Sequence, residues 1–253
     1  MFPMSLDFTH RTVLVTGAGS GIGRAIAAGF LDAGANVIAS DINMEQLNEL
    51  RSRHGCASGR PLHILRTDVR EREQVLALFE SNPFGRLDAV VHAAGITASL
   101  LLTETDDETY RKLIETNVNG TFHVLQEAVS VMRDNAEGGT IVVIGSINAM
   151  WPLANQAVYT ATKAAIDSLA KSLAVEVAPL QIRVNVVAPG AIDTPMNHRL
   201  TGERKAALAA RIPLRRIGIP EDLVGITQFL SSPLSSYITG STFVVDGGFI
   251  VGR

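Results

Sequence analysis

The stretch Thr12-Val13-Leu14-Val15-Thr16-Gly17-Ala18-Gly19-Ser20-Gly21-Ile22-Gly23 decides the fold of this chain. A β-branched apolar run is followed by a segment in which every second residue from Gly17 to Gly23 is glycine, and a helical pattern begins at Ile22. Glycines let the backbone turn sharply and approach a pyrophosphate, while the free N–H groups at a helix start favour its negative charge. The stretch predicts a dinucleotide site after a first strand, with contacts from Gly17, Ser20, Gly21, Ile22 and Gly23. A plain tight turn between strand and helix is the alternative.

Strand-like and helix-like segments alternate along the rest of the chain. Strands are predicted at Thr12–Val15, Asn36–Ala39, His63–Arg66, Leu87–Val91, Ile141–Ile144, Ile182–Ala188 and Thr242–Val245. Helices are predicted over Ile22–Ala33, Met44–Arg53, Glu71–Ser81, Asp106–Arg133, Ala157–Ala178 and Glu221–Leu230. Most strands are continuous apolar runs, which is typical of a parallel sheet covered by helices on both faces. The pattern predicts an α/β fold, a single Rossmann-type doubly wound domain over residues 1–253 with a seven-stranded parallel sheet.

Composition limits the partners that are expected for the chain. Its 253 residues are 46% hydrophobic and carry a net charge of -3, so neither nucleic acid nor an anionic membrane surface is expected as a partner. No apolar run approaches the ~18 residues of a membrane span. The segment Met1–Leu6 is too short for a signal peptide. Cys56 is the only cysteine, which excludes an internal disulfide and fits a reducing, cytoplasmic location.

Two acidic residues follow the second and third predicted strands. Asp41 stands where the strand tip would meet the ribose next to adenine, and a carboxylate there accepts hydrogen bonds from the ribose hydroxyls and repels a 2'-phosphate. This position predicts NAD as the cofactor. A helix N-cap is the alternative role for Asp41, and Arg24 could instead help to hold a 2'-phosphate. Asp68 and Val69 are expected beside the adenine ring, with a plain turn or a helix cap as the alternative.

Three polar side chains are predicted to converge on one crevice. Tyr159 and Lys163 lie four residues apart in a predicted helix and share one face. A nearby ammonium group favours tyrosinate, so we expect it to lower the pKa of the phenol towards neutrality and let Tyr159 accept a proton from an alcohol. Such pairs are common on helix surfaces by chance. Ser146, however, follows the fifth strand at the edge where ligands bind in open α/β sheets.

The predicted helix Asp106–Arg133 is interrupted near its centre. The segment Asn117-Val118-Asn119-Gly120 contains four poor helix formers in succession, which predicts a local opening of the hydrogen-bond ladder. Such an opening would leave a main-chain carbonyl free to hold a water. A simple kink that accommodates a neighbouring helix is the alternative.

These residues resemble the short-chain dehydrogenase/reductase family, from about Arg11 to the C-terminus. The motifs are Thr16-Gly17-x-x-x-Gly21-x-Gly23, Asp68, Ala93-Ala94-Gly95, Asn117, Ser146, Tyr159-x-x-x-Lys163, Asn185, Pro189-Gly190 with Thr194, and Asp246-Gly247-Gly248. The resemblance implies that Tyr159 is the general acid/base and that Ser146 binds the substrate oxygen. It implies that Lys163 binds the nicotinamide ribose and that Asn117 holds a proton-relay water. The cofactor contacts that it implies are completed by Ala94, Gly95, Pro189, Gly190, Ile192 and Thr194.

One position departs from the family pattern. The family has Asn-Ala-Ala-Gly after the fourth strand, whereas this chain has His92-Ala93-Ala94-Gly95. In the family that Asn ties the sheet together through backbone hydrogen bonds, and a neutral imidazole can donate one such bond and accept another. We expect His92 to be structural, with an extra acid/base role as the alternative. The other histidines lack the mutual spacing of metal ligands, so no catalytic metal is expected.

The sequence thus predicts an NAD-dependent oxidoreductase that moves a hydride between a secondary alcohol (a polyol, a sugar or a cyclic alcohol) and its ketone. The alternatives are an enzyme like the 3-oxoacyl-carrier-protein reductases, which generally prefer NADPH, and a non-catalytic dinucleotide-binding sensor. The substrate pocket is expected from Gly95–Leu102, Asn148–Gln156 and a loop over about residues 190–216, with His198 and Arg199 among its polar groups. The family is usually a homotetramer, and the same assembly is expected here.

Overall fold

The computed structural model describes residues 6–55, 61–197 and 202–252. Its strands are β1 (Thr12–Thr16), β2 (Asn36–Asp41), β3 (Leu62–Arg66), β4 (Ala89–His92), β5 (Gly139–Ile144), β6 (Ile182–Pro189) and β7 (Thr242–Val245). Its α-helices are α1 (Gly21–Asp32), α2 (Met44–Leu50), α3 (Arg72–Glu80), α4 (Asp107–Leu113), α5 (Gly120–Met132), α6 (Ala157–Val177), α7 (Gly202–Arg211) and α8 (Val224–Ser231). The features predicted at Cys56, His198 and Arg199 lie outside the described residues.

Shorter helical turns link several of these elements. A π-helical turn, Ile114–Asn119, joins α4 to α5, and another, Arg51–Gly55, extends α2. The 3-10 turns are Leu102–Glu104, Ile147–Ala149, Ala178–Leu180, Pro195–Asn197, Pro220–Leu223 and Pro233–Ser235.

The seven described strands form one parallel sheet in the order β3-β2-β1-β4-β5-β6-β7. The chain builds outward from β1 to β3 and then returns past β1 to β4, so the direction of winding reverses between β1 and β4. The register of β1 against β4 pairs Thr16 with His92. Ligands in open α/β sheets bind beyond the carboxyl ends of the strands at such a reversal. The predicted Rossmann-type fold class is confirmed, and it places the binding crevice just after Thr16 and His92.

Helices cover both faces of the sheet, which is why its strands are apolar without alternation. Val13 and Val15 face a cluster that includes Phe30 of α1, whereas Leu14 faces the opposite cluster, which includes Leu78 of α3. All five of these side chains are fully buried. Burial of each such side chain contributes about 1.5–3 kcal/mol, so the two layers fix the strand ends that carry the site.

Several elements differ in detail from their predictions. The predicted strand Leu87–Val91 is observed as Ala89–His92, because pairing with β1 and β5 begins at Ala89. The predicted helix Asp106–Arg133 is divided into α4, the π turn and α5. The segment over about residues 190–216, expected as a loop, contains α7, and Ile192 forms a β-bridge with Gly218.

Candidate active site

The carboxyl ends of the strands open into a cavity of about 970 Å³, a volume that suits a small-molecule or cofactor site. Every predicted site residue except Asn117 lines this cavity. The lining residues from the prediction are Gly17, Ser20, Gly21, Ile22, Gly23, Asp41, Asp68, Val69, Ala94, Gly95, Ser146, Tyr159, Lys163, Pro189, Gly190, Ile192 and Thr194. The parallel sheet therefore brings residues from distant parts of the sequence to one edge.

The turn between β1 and α1 requires glycine at two positions. Gly17 has a φ of +68°, and a Cβ atom there would lie 2.7 Å from the backbone nitrogen of Ala94. A Cβ atom on Gly23 would overlap the carbonyl oxygen of Gly17. Ser20 is the N-cap of α1, but its side chain makes no capping hydrogen bond. The start of α1 therefore keeps backbone N–H groups for an anionic ligand.

Two backbone amides fix the carboxylate of Asp41 at the cavity wall. Its Oδ2 accepts a hydrogen bond from the N–H of Gly19 at 2.9 Å, and its Oδ1 accepts one from the N–H of Asn43 at 2.9 Å. Helix α2 is capped by Asn43, whose side chain accepts from the N–H groups of Glu45 and Gln46. The alternative role of Asp41 as the cap of this helix is therefore wrong.

Arg24 is engaged with other parts of the protein. Its Nε donates to the carbonyl oxygen of Gly19 at 2.6 Å, and its Nη1 lies 3.3 Å from a carboxylate oxygen of Glu49. Both partners would compete with a cofactor phosphate for this guanidinium.

Asp68 forms an ion pair that no sequence pattern predicts. The Nη2 of Arg70 donates to Asp68 Oδ2 at 2.6 Å, and the Nε of Arg70 donates to Oδ1 at 3.0 Å. These hydrogen bonds hold the pKa of the Asp68 carboxyl below its ordinary value. Arg70 also lines the cavity. The wall where the adenine ring is expected thus carries a guanidinium as well as a carboxylate.

The structure brings Ser146, Tyr159 and Lys163 together at the cavity. Ser146 follows β5, and its Oγ accepts a hydrogen bond from the N–H of Asn148 at 3.1 Å. Tyr159 lies in the first turn of α6, and its hydroxyl is hydrogen-bonded to Ser146. The Nζ of Lys163, one turn later, donates to the carbonyl oxygen of Ile144 at 3.0 Å. It lies 5.9 Å from the centroid of the Tyr159 ring.

The pKa values of Tyr159 and Lys163 differ from the expectation. Burial raises the pKa of the Tyr159 phenol above its ordinary value, and the hydrogen bond with Ser146 offsets only part of that shift. Burial also lowers the pKa of the Lys163 ammonium to about 8. The expected lowering of the phenol pKa by the ammonium is therefore wrong in this arrangement, because desolvation dominates both groups.

Asn117 lies in the π-helical turn, where the poor helix formers predict an opened ladder. Its Oδ1 accepts from the N–H of Ile96 at 2.8 Å. Its Nδ2 donates to the carbonyl of Ile96 at 2.9 Å and to the hydroxyl of Thr162 at 3.0 Å. The expectation of a free main-chain carbonyl does not hold at Asn117, because its carbonyl accepts a hydrogen bond from the hydroxyl of Thr121. A second lone pair on that oxygen is still suited to a water.

His92 is buried between two threonine hydroxyls. Its Nδ1 lies 2.8 Å from Thr16 Oγ1, and its Nε2 lies 3.0 Å from Thr121 Oγ1. Burial, with a smaller contribution from the charge of Lys163, lowers the pKa of the imidazole to about 3. The side chain is therefore neutral at physiological pH. It bridges hydroxyls, rather than the backbone groups that the family's Asn bonds.

Two of the apolar residues expected around the substrate, Leu153 and Met196, line the cavity. The other three, Leu100, Met150 and Trp151, are 37% to 44% exposed but do not line it. Two of the expected polar contacts bond to each other, since the Nδ2 of Asn148 donates to Oε1 of Gln156 at 2.5 Å. Partly exposed apolar side chains that line an open cavity are typical of a ligand site.

Residues 6–55, 61–197 and 202–252 contain neither a membrane-spanning helix nor a cluster of metal ligands. No helix in these ranges combines the length and the apolar character needed to cross a membrane. The same ranges contain no group of three or more His, Cys, Asp or Glu side chains that could hold a metal ion.

Known proteins are similar to this chain in both sequence and fold. The family model described as Enoyl-(Acyl carrier protein) reductase matches residues 17–250. The chain is 37% identical to the 3-oxoacyl-[acyl-carrier-protein] reductase FabG of Thermotoga maritima, over 95% of this chain and 98% of that protein. It is 35% identical to the L-rhamnose 1-dehydrogenase (NAD(P)(+)) of Azotobacter vinelandii, over 95% and 97%. A solved short-chain type dehydrogenase/reductase from Mycobacterium ulcerans superposes with a TM-score of 0.92 at 34% identity, covering 98% of this chain and 92% of that one.

These matches extend over nearly the whole chain and include the strand ends that form the cavity. The glycine turn from Gly17 onward and the side chains after β5 and in α6 all fall within residues 17–250. The chain belongs to the short-chain dehydrogenase/reductase family and is an oxidoreductase acting on CH–OH groups.

Proposed function

We propose that the protein is an NAD-dependent dehydrogenase that interconverts a secondary alcohol, such as a polyol, a sugar or a cyclic alcohol, and its ketone. The observation that carries this proposal is the convergence of Ser146, Tyr159 and Lys163 on the cavity beside the glycine turn. An acid/base, a hydroxyl that binds the substrate oxygen and a cation are the groups that carbonyl–alcohol interconversion requires around the reacting carbon. NAD supplies the hydride acceptor when it is bound at this turn.

The residues beside β1 and β2 fit a dinucleotide. Gly17 and Gly23 have no space for a side chain, so the turn presents backbone to the diphosphate. Asp41 is held by hydrogen bonds from Gly19 and Asn43, and its remaining lone pairs would accept hydrogen bonds from the ribose hydroxyls of a bound NAD. Pro189, Gly190, Ile192 and Thr194 would border the nicotinamide beyond the end of β6.

Tyr159 is the residue that moves the proton in this mechanism. Its raised pKa keeps the phenol protonated at neutral pH, so it is ready to donate a proton to the oxygen of a ketone. Ser146 would donate a hydrogen bond to the same substrate oxygen. In the direction of alcohol oxidation, the positive charge of Lys163 stabilises the tyrosinate that must form. An ammonium has three N–H donors, and Lys163 uses one on Ile144, so two remain for a ribose hydroxyl and a relay water near Asn117.

The fixed carboxylate of Asp41 favours NAD over NADP. A 2'-phosphate carries about two negative charges, and like charges a few Å apart repel by several kcal/mol at an effective dielectric constant of ~20. Arg24 would have to leave Gly19 and Glu49 to compensate for this repulsion. The Azotobacter vinelandii relative is named as a dehydrogenase that uses NAD or NADP.

A 3-oxoacyl-carrier-protein reductase that uses NADPH is the second candidate. The names of the family model and of the Thermotoga maritima relative favour it. The apolar side chains of Leu153 and Met196, which line the cavity, could contact an acyl chain. Asp41 argues against this candidate, because the carboxylate opposes the 2'-phosphate of NADPH.

One screen distinguishes the candidates. Purified protein is assayed for oxidation of polyols, sugars, hydroxysteroids and simple secondary alcohols with NAD and with NADP. Reduction of a 3-oxoacyl thioester is assayed with NADH and with NADPH. Turnover of an alcohol with NAD supports the proposal, whereas turnover confined to the thioester with NADPH supports the second candidate. Tight binding of NAD without any turnover would support the non-catalytic sensor.

We propose a cytoplasmic homotetramer in which each chain forms one domain. Small residues with exposed surface follow one another along α6 at Ala161, Ala165 and Ser168, and Val175 further along is 77% exposed. Small side chains of this kind let a second helix approach closely. Light scattering after gel filtration should give four times the mass of one chain, and a monomer would contradict the proposal.

A further inference from the structure

Five buried polar residues form a continuous hydrogen-bond chain beneath the active site. Each of them is at most 1% exposed, and in order they are Thr16, His92, Thr121, Asn117 and Thr162. The chain begins at the end of β1, crosses β4 and the π turn, and ends on α6 between Tyr159 and Lys163. It therefore connects His92, the position at which this chain departs from the family pattern, to the helix that carries the proposed acid/base.

The direction of each hydrogen bond can be assigned from its partners. The carbonyl of Asn117 can only accept, so the hydroxyl hydrogen of Thr121 points at it. The oxygen of Thr121 must then accept from His92, which places the imidazole hydrogen on Nε2. A neutral ring has one hydrogen, so Nδ1 accepts from the hydroxyl of Thr16. The oxygen of Thr16 in turn accepts from the N–H of Ala94 at 3.3 Å.

The far end of the chain reaches the backbone of Tyr159. The Nδ2 of Asn117 donates to the hydroxyl of Thr162, and that hydroxyl donates to the carbonyl oxygen of Tyr159 at 2.7 Å. Asn117 makes this contact from a π-helical turn, a conformation that places side chains differently from an α-helix and often marks functional positions. Contacts that stabilise the π turn, such as the hydrogen bond from Thr121 to the carbonyl of Asn117, therefore also hold Asn117 against α6.

We propose that His92 is a positioning residue for the Tyr159 and Lys163 pair. Its Nε2–H commits the Thr121 hydroxyl to the carbonyl of Asn117, and this holds the Asn117 amide against Thr162 of α6. The inference rests on the proposed function, because it assigns His92 a role in the reaction that Tyr159 performs. It differs from a purely structural role, in which either nitrogen of the ring would serve and only stability would depend on it.

Two substitutions test the two hydrogen bonds of His92 separately. In His92→Gln the amide nitrogen falls near the place of Nε2, so the bond to Thr121 is retained. In His92→Asn the shorter side chain reaches only the place of Nδ1, so the bond to Thr16 is retained and that to Thr121 is lost. We expect kcat to fall ~10-fold in His92→Asn and less than ~3-fold in His92→Gln, with KM for NAD and for the alcohol within ~2-fold in both. Equal kcat in the two variants, or a change confined to KM, would overturn the proposal.

Thr121→Val removes the next hydrogen bond of the chain, from the Thr121 hydroxyl to the carbonyl of Asn117. It should lower kcat as much as His92→Asn does, and the double variant should lower it no further, because both changes break the same chain. Additive losses would show that the two residues act separately and would refute the chain.

Nitrogen NMR of the wild-type protein with isotope-labelled histidine shows which ring nitrogen of His92 carries the hydrogen, and it needs no assay of turnover. The hydrogen of His92 is expected on Nε2, and finding it on Nδ1 would overturn the inference even in a fully active enzyme. Failure of the wild-type protein to turn over any alcohol would instead count against the proposed function.

Discussion

The ammonium nitrogen of Lys163 lies 5.9 Å from the centroid of the Tyr159 ring, one turn further along α6. Burial favours the neutral form of both side chains, because it raises the pKa of Tyr159 and lowers that of Lys163 to about 8. Each charge is therefore best tolerated when the other is present. This relationship fits a site in which tyrosinate forms only during the reaction, beside a cation that is already in place.

Substitution of Lys163 by Met should remove a pH dependence of stability. The unfolded chain keeps the Lys163 proton up to its ordinary pKa of 10.5, whereas the folded chain releases it near 8. Between these values the unfolded state binds more protons, so the free energy of unfolding rises with pH by up to about 1.4 kcal/mol per unit.

Urea unfolding at about pH 8 and about pH 9.5 measures this rise. The wild-type protein should gain stability over this interval relative to Lys163→Met. An equal change in both proteins would mean that Lys163 keeps its ordinary pKa when the chain is folded.

Substitution of Asp41 should alter the choice of cofactor. The wild-type protein should use NAD at least ~10-fold better than NADP by kcat/KM, because a repulsion of several kcal/mol exceeds the ~1.4 kcal/mol that a tenfold preference requires. Asp41→Ala should narrow this gap, chiefly by loss of NAD affinity. Adding Ile42→Arg should shift the preference towards NADP, since a guanidinium binds phosphate bidentately. Similar kcat/KM values for both cofactors in the wild-type protein would refute the assignment of Asp41.

A pair of glycine substitutions tests the cradle at the start of α1. Gly17 and Gly85 both have positive φ, at +68° and +82°, so alanine at either costs about 1 kcal/mol of backbone strain. Only at Gly17 does the new Cβ meet backbone, 2.7 Å from Ala94 N, whereas nothing lies within 4 Å of it at Gly85. Gly17→Ala should therefore bind NAD ~10-fold or more weakly by calorimetry. Gly85→Ala should bind it normally, and unchanged affinity in Gly17→Ala would show that NAD binds elsewhere.

His92→Asn should leave the shape of the pH profile of turnover unchanged between about pH 5 and pH 9. The imidazole titrates near 3 in the folded chain and at 6.5 in the unfolded one, so it carries no charge change in the working range. As pH falls from 6.5 to 3, the unfolded state binds the extra proton, and the wild-type protein loses stability that His92→Asn retains. Loss of one limb of the profile, with folding intact, would reveal a catalytic imidazole.

The sequence predicts which side chains meet at the site better than it predicts their electrostatics. Strand periodicity and the glycine turn locate the carboxyl edge of the sheet, and the four-residue spacing places Tyr159 and Lys163 on one face. The direction of the Tyr159 pKa shift depends on how deeply the phenol is buried, which spacing does not report. The contact between His92 and Thr121 joins residues that are 29 positions apart. It depends on how the end of β4 packs against the start of α5, for which no local pattern exists.

Proton transfer by Tyr159 is tested most directly by Tyr159→Phe, which keeps the packing of the ring and removes the hydroxyl. The dissociation constant for NAD is measured by calorimetry, and turnover is measured on the best alcohol from the screen. The variant should bind NAD within ~2-fold of the wild-type protein, while kcat falls ~100-fold or more, because the group that exchanges the proton with the substrate oxygen is gone. Near-normal turnover by a folded Tyr159→Phe protein would contradict the mechanism.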